Sequence, residues 1–359
     1  MRHGLRLENR KIVEHWRRRG STVKLGFQLG YWMRAPYDST AVVQEAERLG
    51  YDSVWTGEAY GSDAITPLAW LGSQTKTIKL GTSVAQLSAR TPACAAMTAL
   101  TMDHLSQGRF RMGIGVSGPQ VVEGWYGQPF PRPIERTREW LDIFRQVIAR
   151  EAPVQFQGRH YQLPLSGGAG LGKPLKSITH PLRKRIPVFL GAEGPKNVKL
   201  AAELCEGWLP MFVSPYRMHV YDESLAARPD DFEIVASVTI NTSDDLAEAL
   251  LPVKSTLAFY LGGMGARGEN FHKNLMERMG FGDAAARVQD LWFDGKQLEA
   301  IAAVPDELAD EISLCGPVER IRERLQAWEV SPVTTLLIMR TDDPSQDIRR
   351  LREIRELVS

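Results

Sequence analysis

Apolar positions along this chain fall into short strand-like runs separated by amphipathic stretches, and the alternation holds from Lys24 to the C-terminus. The runs are Lys24–Leu29, Ser53–Thr56, Ile78–Ser83, Arg109–Gly115, Val188–Leu190, Gly207–Phe212, Phe232–Val238 and Val333–Met339. Short and almost wholly apolar, they read as strands buried on both faces. Helical spacing lies between them. Ser39–Leu49 sets Val42, Val43, Ala46 and Leu49 on one side and stops at Gly50,. Further helices are expected over Thr66–Thr75, Pro92–Leu105, Ile134–Arg150 and Pro195–Cys205, with a closing helix to Leu357. Eight such units predict an α/β fold, a closed parallel (β/α)8 barrel, over residues 24–359 as a single domain. The competing architecture is a doubly wound sheet. Two stretches interrupt the rhythm: residues 151–186, rich in Gly and Pro, and residues 241–315, long and mostly helical. Both are expected to rise over the C-terminal rim, where such barrels keep their sites.

Composition narrows the picture slightly. Of 359 residues, 43% are hydrophobic and 24% charged, ordinary values for a globular protein,. A net charge of +1 gives no electrostatic case for nucleic acid,. No stretch reads as a membrane span. Cys94, Cys205 and Cys315 are far apart and odd in number, which fits a reducing, cytoplasmic location,. Residues 1–23 form a basic extension, with seven cations against Glu8 and Glu14 and no apolar core of a secretory signal,.

Candidate chemistry gathers where strands end. Val188–Leu190 feeds a Gly turn and a helix that opens at Pro195. The free N–H groups and positive dipole end of such a first turn seat a phosphate, and Lys196 and Asn197 add a cation and a side-chain donor. Glu58 follows the second strand, where a carboxylate can bind, orient or exchange protons. Gly113-Ile-Gly-Val-Ser-Gly118 has GxGxxG spacing, but it lies in the fourth unit and Pro119 follows it. It is therefore read as room for a flat cofactor or a loop backbone, rather than as a dinucleotide fingerprint. The seven histidines show no metal-ligand spacing, and no metal is expected,. Trp32, Trp125, Tyr260, Phe271 and His272 are candidates for the substrate wall. Arg90, Lys173, Arg183, Lys184 and Arg185 are placed near strand exits or insertions, where an anionic cofactor tail would use them.

Asp52-Ser-Val-Trp-Thr-Gly-Glu58, Leu80-Gly-Thr-Ser-Val84, Gly113 to Trp125 and Gly191-Ala-Glu-Gly-Pro-Lys-Asn197 together resemble the luciferase-like monooxygenase superfamily. The resemblance is closer to its coenzyme F420-dependent branch, and runs from about Lys24 to the end. It implies a non-prolyl cis peptide at Ser83–Val84 behind a deazaflavin ring. Ser117, Gly118, Val121 and Val122 would line the ring or ribityl chain. Gly191, Ala192, Glu193, Gly194, Lys196 and Asn197 would hold phosphate, and Glu58 would polarise substrate or handle its proton. Ala59 stands where the sugar-phosphate dehydrogenases of the branch have His, which argues against a sugar phosphate. Glu193 replaces a common Gly, an awkward charge beside phosphate unless its side chain turns away. The implied activity is F420-dependent hydride transfer with a small carbonyl, alcohol or activated alkene, in a homodimer by analogy. The alternatives are an FMN-dependent monooxygenase with a separate flavin reductase, and a non-catalytic flavin-binding protein.

Overall fold

The computed structural model describes residues 23–32, 38–264, 268, 270–341 and 343–358. The basic extension, apart from Val23, lies outside the described residues. The strands are β1 (Lys24–Gly30), β2 (Ser53–Thr56), β3 (Lys79–Thr82), β4 (Phe110–Gly115), β5 (Val188–Gly191), β6 (Gly207–Leu209), β7 (Glu233–Thr242) and β8 (Thr335–Met339). Each pairs in parallel with the next in chain order, and β8 pairs with β1, so the eight close into a barrel. Closure excludes the doubly wound sheet. Around the barrel run α1 (Thr40–Arg48), α2 (Thr66–Ser73), α3 (Pro92–Leu105), α4 (Pro133–Ala149) and α5 (Pro195–Leu204). Pro begins or nearly begins α2 to α5, as expected where a missing N–H costs nothing,.

Two strand ends move for physical reasons. The sixth strand stops at Leu209, because Pro210 lacks the N–H that would continue the ladder,. The seventh runs on to Thr242, because a short strand at Ser313–Gly316, absent from the sequence reading, pairs with it above the barrel.

The second insertion rises over the rim as expected. It contains α6 (Leu246–Gly262), α7 (Phe271–Arg278), α8 (Gly282–Phe293), α9 (Gln297–Ala303) and α10 (Asp306–Glu311). After it come α11 (Val318–Val330) and α12 (Pro344–Val358). The first insertion departs from expectation. It follows α4 rather than a strand, so it starts at the opposite, N-terminal face. Its small hairpin, Phe156–Gln157 against Gln162–Leu163, runs back beside α4, where Glu139 accepts N–H bonds from Arg159, His160 and Tyr161. The segment then returns under the barrel. Arg183 pairs with buried Asp103 and donates to the carbonyl of Phe110, the first residue of β4. It is a strap along the barrel wall, not a cover for the mouth.

Candidate functional site

The barrel interior is filled in tiers. At the strand starts, Arg111 reaches Glu233 and Asp52. Above it Trp55 and Phe189 meet edge to face, 5.3 Å between centroids, with Leu209, Val235 and Leu337. Gly81 and Gly207 make room for these rings: a Cβ at Gly81 would strike Trp55, and one at Gly207 would strike Phe189. Val84 packs on top of this tier.

Val84 belongs to a bulge that closes the interior and floors the mouth. The Ser83–Val84 peptide is cis. Ser83 N–H donates to Thr56 (2.5 Å), and the Val84 carbonyl accepts from Glu58 N–H (3.2 Å). Glycines from three strand ends accommodate it. A Cβ at Gly57 would stand 2.9 Å from the Ser83 oxygen, one at Gly191 3.0 Å from Val84 Cγ1, and one at Gly115 inside contact with Val84 Cγ2. Gly113 faces the Thr82 carbonyl as closely, and its own N–H and carbonyl both bond the Thr82 hydroxyl. The first two glycines of the GxGxxG stretch therefore admit neighbouring backbone and Val84. Ser117, just past β4, has a left-handed φ of 58°. Val121 is partly open, whereas Val122 is fully buried.

Glu58 is a saturated carboxylate. Oε1 accepts from Gln86 N–H (2.7 Å) and Arg90 Nη1, and Oε2 from Ala64 N–H (3.0 Å) and Arg90 Nη2 (3.0 Å). Its side chain is 4% exposed and that of Arg90 19%. Four donors occupy the acceptor positions of an ionised carboxylate. Gln86 also returns a side-chain bond to the Glu58 carbonyl. With its own N–H on Val84, Glu58 ties the bulge to β2 and fixes Arg90. Tyr126 closes this side by donating to the Ala59 carbonyl (3.0 Å).

Across the mouth, Gly191–Gly194 is pinned from behind. Trp208 Nε1 donates to the Ala192 carbonyl (2.8 Å), and Arg278 Nη2 of α7 to that of Glu193 (2.8 Å). The Glu193 side chain turns away from the helix start and accepts from Met211 N–H (2.8 Å). Its Oε2 is buried without a partner among the described residues, and burial lifts the acid to about 8 against the pull of the Met211 amide and Arg278. Gly194 opens α5, its carbonyl taking the N–H groups of Asn197 and Val198. Asn197 Oδ1 is also buried without a partner among the described residues, and Lys196 is exposed.

The second insertion supplies the far wall. Tyr260 of α6 and His272 of α7 meet at 4.9 Å between ring centroids, and both meet Phe212 edge-on. Burial raises Tyr260 to about 12 and lowers His272 to about 4, so both are neutral near pH 7. Trp32 lies at the end of β1, its N–H on the Ser62 hydroxyl. Trp125 and Phe271 are largely exposed. Phe212, Arg278, Gln86 and Gly57 belong to the site and were missed by sequence reasoning. Three of the five cations assigned to an anionic tail do other work: Arg90 holds Glu58, Arg183 holds Asp103 and Arg185 pairs with Glu206. Outside the mouth, ligand atoms of Glu135, Glu139 and His160 lie within 4.8 Å of one another. Glu139 is there the clamp on the strap's backbone described above.

A closed parallel barrel with a bulged floor beside a helix N-terminus is the build of a cofactor-binding barrel enzyme. A family model described as luciferase-like monooxygenase matches residues 25–335, and the chain belongs to that family. It is 52% identical over 341 residues to a Mycobacterium tuberculosis protein named "Putative coenzyme F420-dependent oxidoreductase Rv3520c", covering 92% of this chain and 98% of that one. It is 28% identical over 314 residues to the 5,10-methylenetetrahydromethanopterin reductase of Archaeoglobus fulgidus, covering 84% and 89%. Among solved structures, the coenzyme F420-dependent tetrahydromethanopterin reductase of Methanopyrus kandleri superposes with a TM-score of 0.72 at 20% identity, covering 91% and 96%, a likeness of fold.

Proposed function

We propose that this protein is a coenzyme F420-dependent oxidoreductase acting on a small organic substrate, a carbonyl, an alcohol or an activated alkene. As a member of the luciferase-like monooxygenase family, the protein is an oxidoreductase. The observation that carries the reading is the Val84 platform. Three glycines accommodate it, and one of them, Gly191, leads directly into the helix start at Gly194. A planar ring fits the first, and a phosphate the second. The Mycobacterium tuberculosis relative, named for coenzyme F420, favours that cofactor over FMN; the cation count does not, because those arginines are paired elsewhere.

When bound, the deazaflavin supplies hydride chemistry at its C5. The chain's own residues place it: Ser83 and Val84 beneath the ring, Ser117, Gly118 and Val121 beside it, and Gly194, Lys196 and Asn197 at the phosphate. Glu58 braces the platform and fixes Arg90, a positioning role in place of proton handling, because its four acceptor positions are taken. Trp32, Tyr260 and His272 border the substrate, and most of the rate comes from preorganised positioning. We assign the protein to the cytoplasm and, by analogy, to a homodimer, which light scattering tests.

Equilibrium binding of the purified protein to oxidised F420 and to FMN, followed by fluorescence, tests the proposal. Tighter F420 binding is expected. Tighter FMN binding would replace it with an oxygen-dependent monooxygenase that needs a reductase partner. Gly115→Ala, which drives a methyl into Val84, is expected to weaken whichever cofactor binds.

A further inference from the structure

Glu193 is an acid in a loop built for an anion. It stands two residues past Gly191, which touches Val84, and one before the helix start at Gly194. Its carboxyl is turned back onto the stretch after β6, where Oε1 takes the Met211 N–H and the buried Oε2 has no hydrogen-bond partner within 3.5 Å among the described residues. Arg278 of α7 uses Nη2 on the Glu193 backbone carbonyl rather than on the carboxyl. The other groups around it carry no charge near neutrality. They are the amides of Met211 and Phe212, Tyr221, Tyr260 of α6, and His272, which packs on Tyr260 and Phe212. A buried carboxylate with one oxygen unserved, and with Arg278 acting on it only from the backbone carbonyl, is costly, so the group keeps its proton,.

We propose that Glu193 serves the loop as a neutral acid, and that binding of an anionic cofactor at Gly191–Asn197 is coupled to proton uptake by this residue. The inference rests on the phosphate reading given above. Protonated, Glu193 adds no repulsion to a phosphate on the other side of its own loop. Ionised, it sets a negative charge against the ligand's. Linkage makes the effect reciprocal: a bound anion strengthens the acid's hold on its proton, and the proton strengthens anion binding. The step is Glu193–COO⁻ plus H⁺ giving Glu193–COOH, with the proton drawn from buffer.

The test is binding of oxidised F420 to the full chain from pH 6.5 to 9, by calorimetry in two buffers of different ionisation heat. For the wild type, affinity is expected to fall by up to about tenfold per pH unit above the acid's midpoint, with uptake of up to about one proton. Glu193→Gln keeps the shape and stays neutral. It is expected to bind more tightly than the wild type at pH 9 and to lose that uptake, and the ligand's own titration cancels in the comparison. Coincident profiles for the two proteins would overturn the inference. Lys196→Ala separates the two failures. If it weakens binding while the profiles coincide, only the Glu193 inference falls. If it binds as the wild type does, the loop is not the phosphate seat and both readings fall. Infrared difference spectra of the unliganded protein at pH 7 give an independent reading. A protonated carboxyl band that disappears in Glu193→Gln is expected, and its absence from the wild type would also overturn the inference.

Discussion

Glu58 and Glu193 occupy loops at the ends of β2 and β5 on the same rim, yet their surroundings give them opposite characters. Glu58 receives four hydrogen bonds, two from a guanidinium, and serves as part of the scaffold. Glu193 receives an amide on one oxygen and has no partner for the other among the described residues, and burial holds its proton to about pH 8. What separates them is the count of donors that reach each carboxyl, because burial falls hardest on the acid with the fewer donors. An acid at a barrel mouth is therefore no proton carrier by position alone.

The contrast can be broken most forcefully at Glu58. Glu58→Ala leaves Arg90 and two backbone N–H groups without a partner, and should cost about 3–5 kcal/mol in urea unfolding. A loss below about 0.5 kcal/mol, the range of a surface substitution, would show that the clamp carries nothing. Glu193→Gln should act in the opposite direction. The acid's midpoint rises from 4.5 unfolded to about 8 folded. The folded state therefore holds the proton more tightly, and wild-type stability is lost as pH rises from 4.5 to 8. The variant escapes this loss, so its stability relative to the wild type should rise by on the order of a few kcal/mol between pH 4 and pH 8. A parallel pair of stability–pH curves would refute it.

His272 on the adjoining wall titrates with the reverse sign. Burial lowers it from 6.5 to about 4, so stability is lost as pH falls through that window. His272→Phe should remove on the order of 1–3 kcal/mol of that acid-side loss, measured by thermal melts between pH 7 and 4. The smallest effect belongs to Tyr126→Phe, which deletes one half-buried bond to the Ala59 carbonyl. It should cost about 1 kcal/mol and leave both acids as they are,.

The contrast between the acids also marks where sequence reading stops. The barrel was legible, because buried strands and amphipathic helices are local patterns. The loop at Gly191–Asn197 was legible for the same reason, being a strand, a Gly turn and a Pro-started helix. Local patterns do not carry the pairing of Glu58 with Arg90, 32 residues away, or the turn of Glu193 toward Met211. The arginines assigned to a cofactor tail failed on the same account, since Asp103 and Glu206 claim them from other elements. The path of the strap was misjudged because it was counted from the preceding strand, when α4 had already carried the chain to the other face.

Trp55 and Phe189, wedged against Gly81 and Gly207, leave the barrel no depth to give up. Divergence among descendants of this scaffold is thereby channelled upward. The mouth can be widened, roofed or re-lined by exchanging residues 243–312, while the floor tolerates almost no side-chain growth. A chimera that borrows that stretch from a relative should inherit the donor's substrate preference and keep the recipient's cofactor. The aromatic plug thus works as a partition between a conservative half of the molecule and an inventive one.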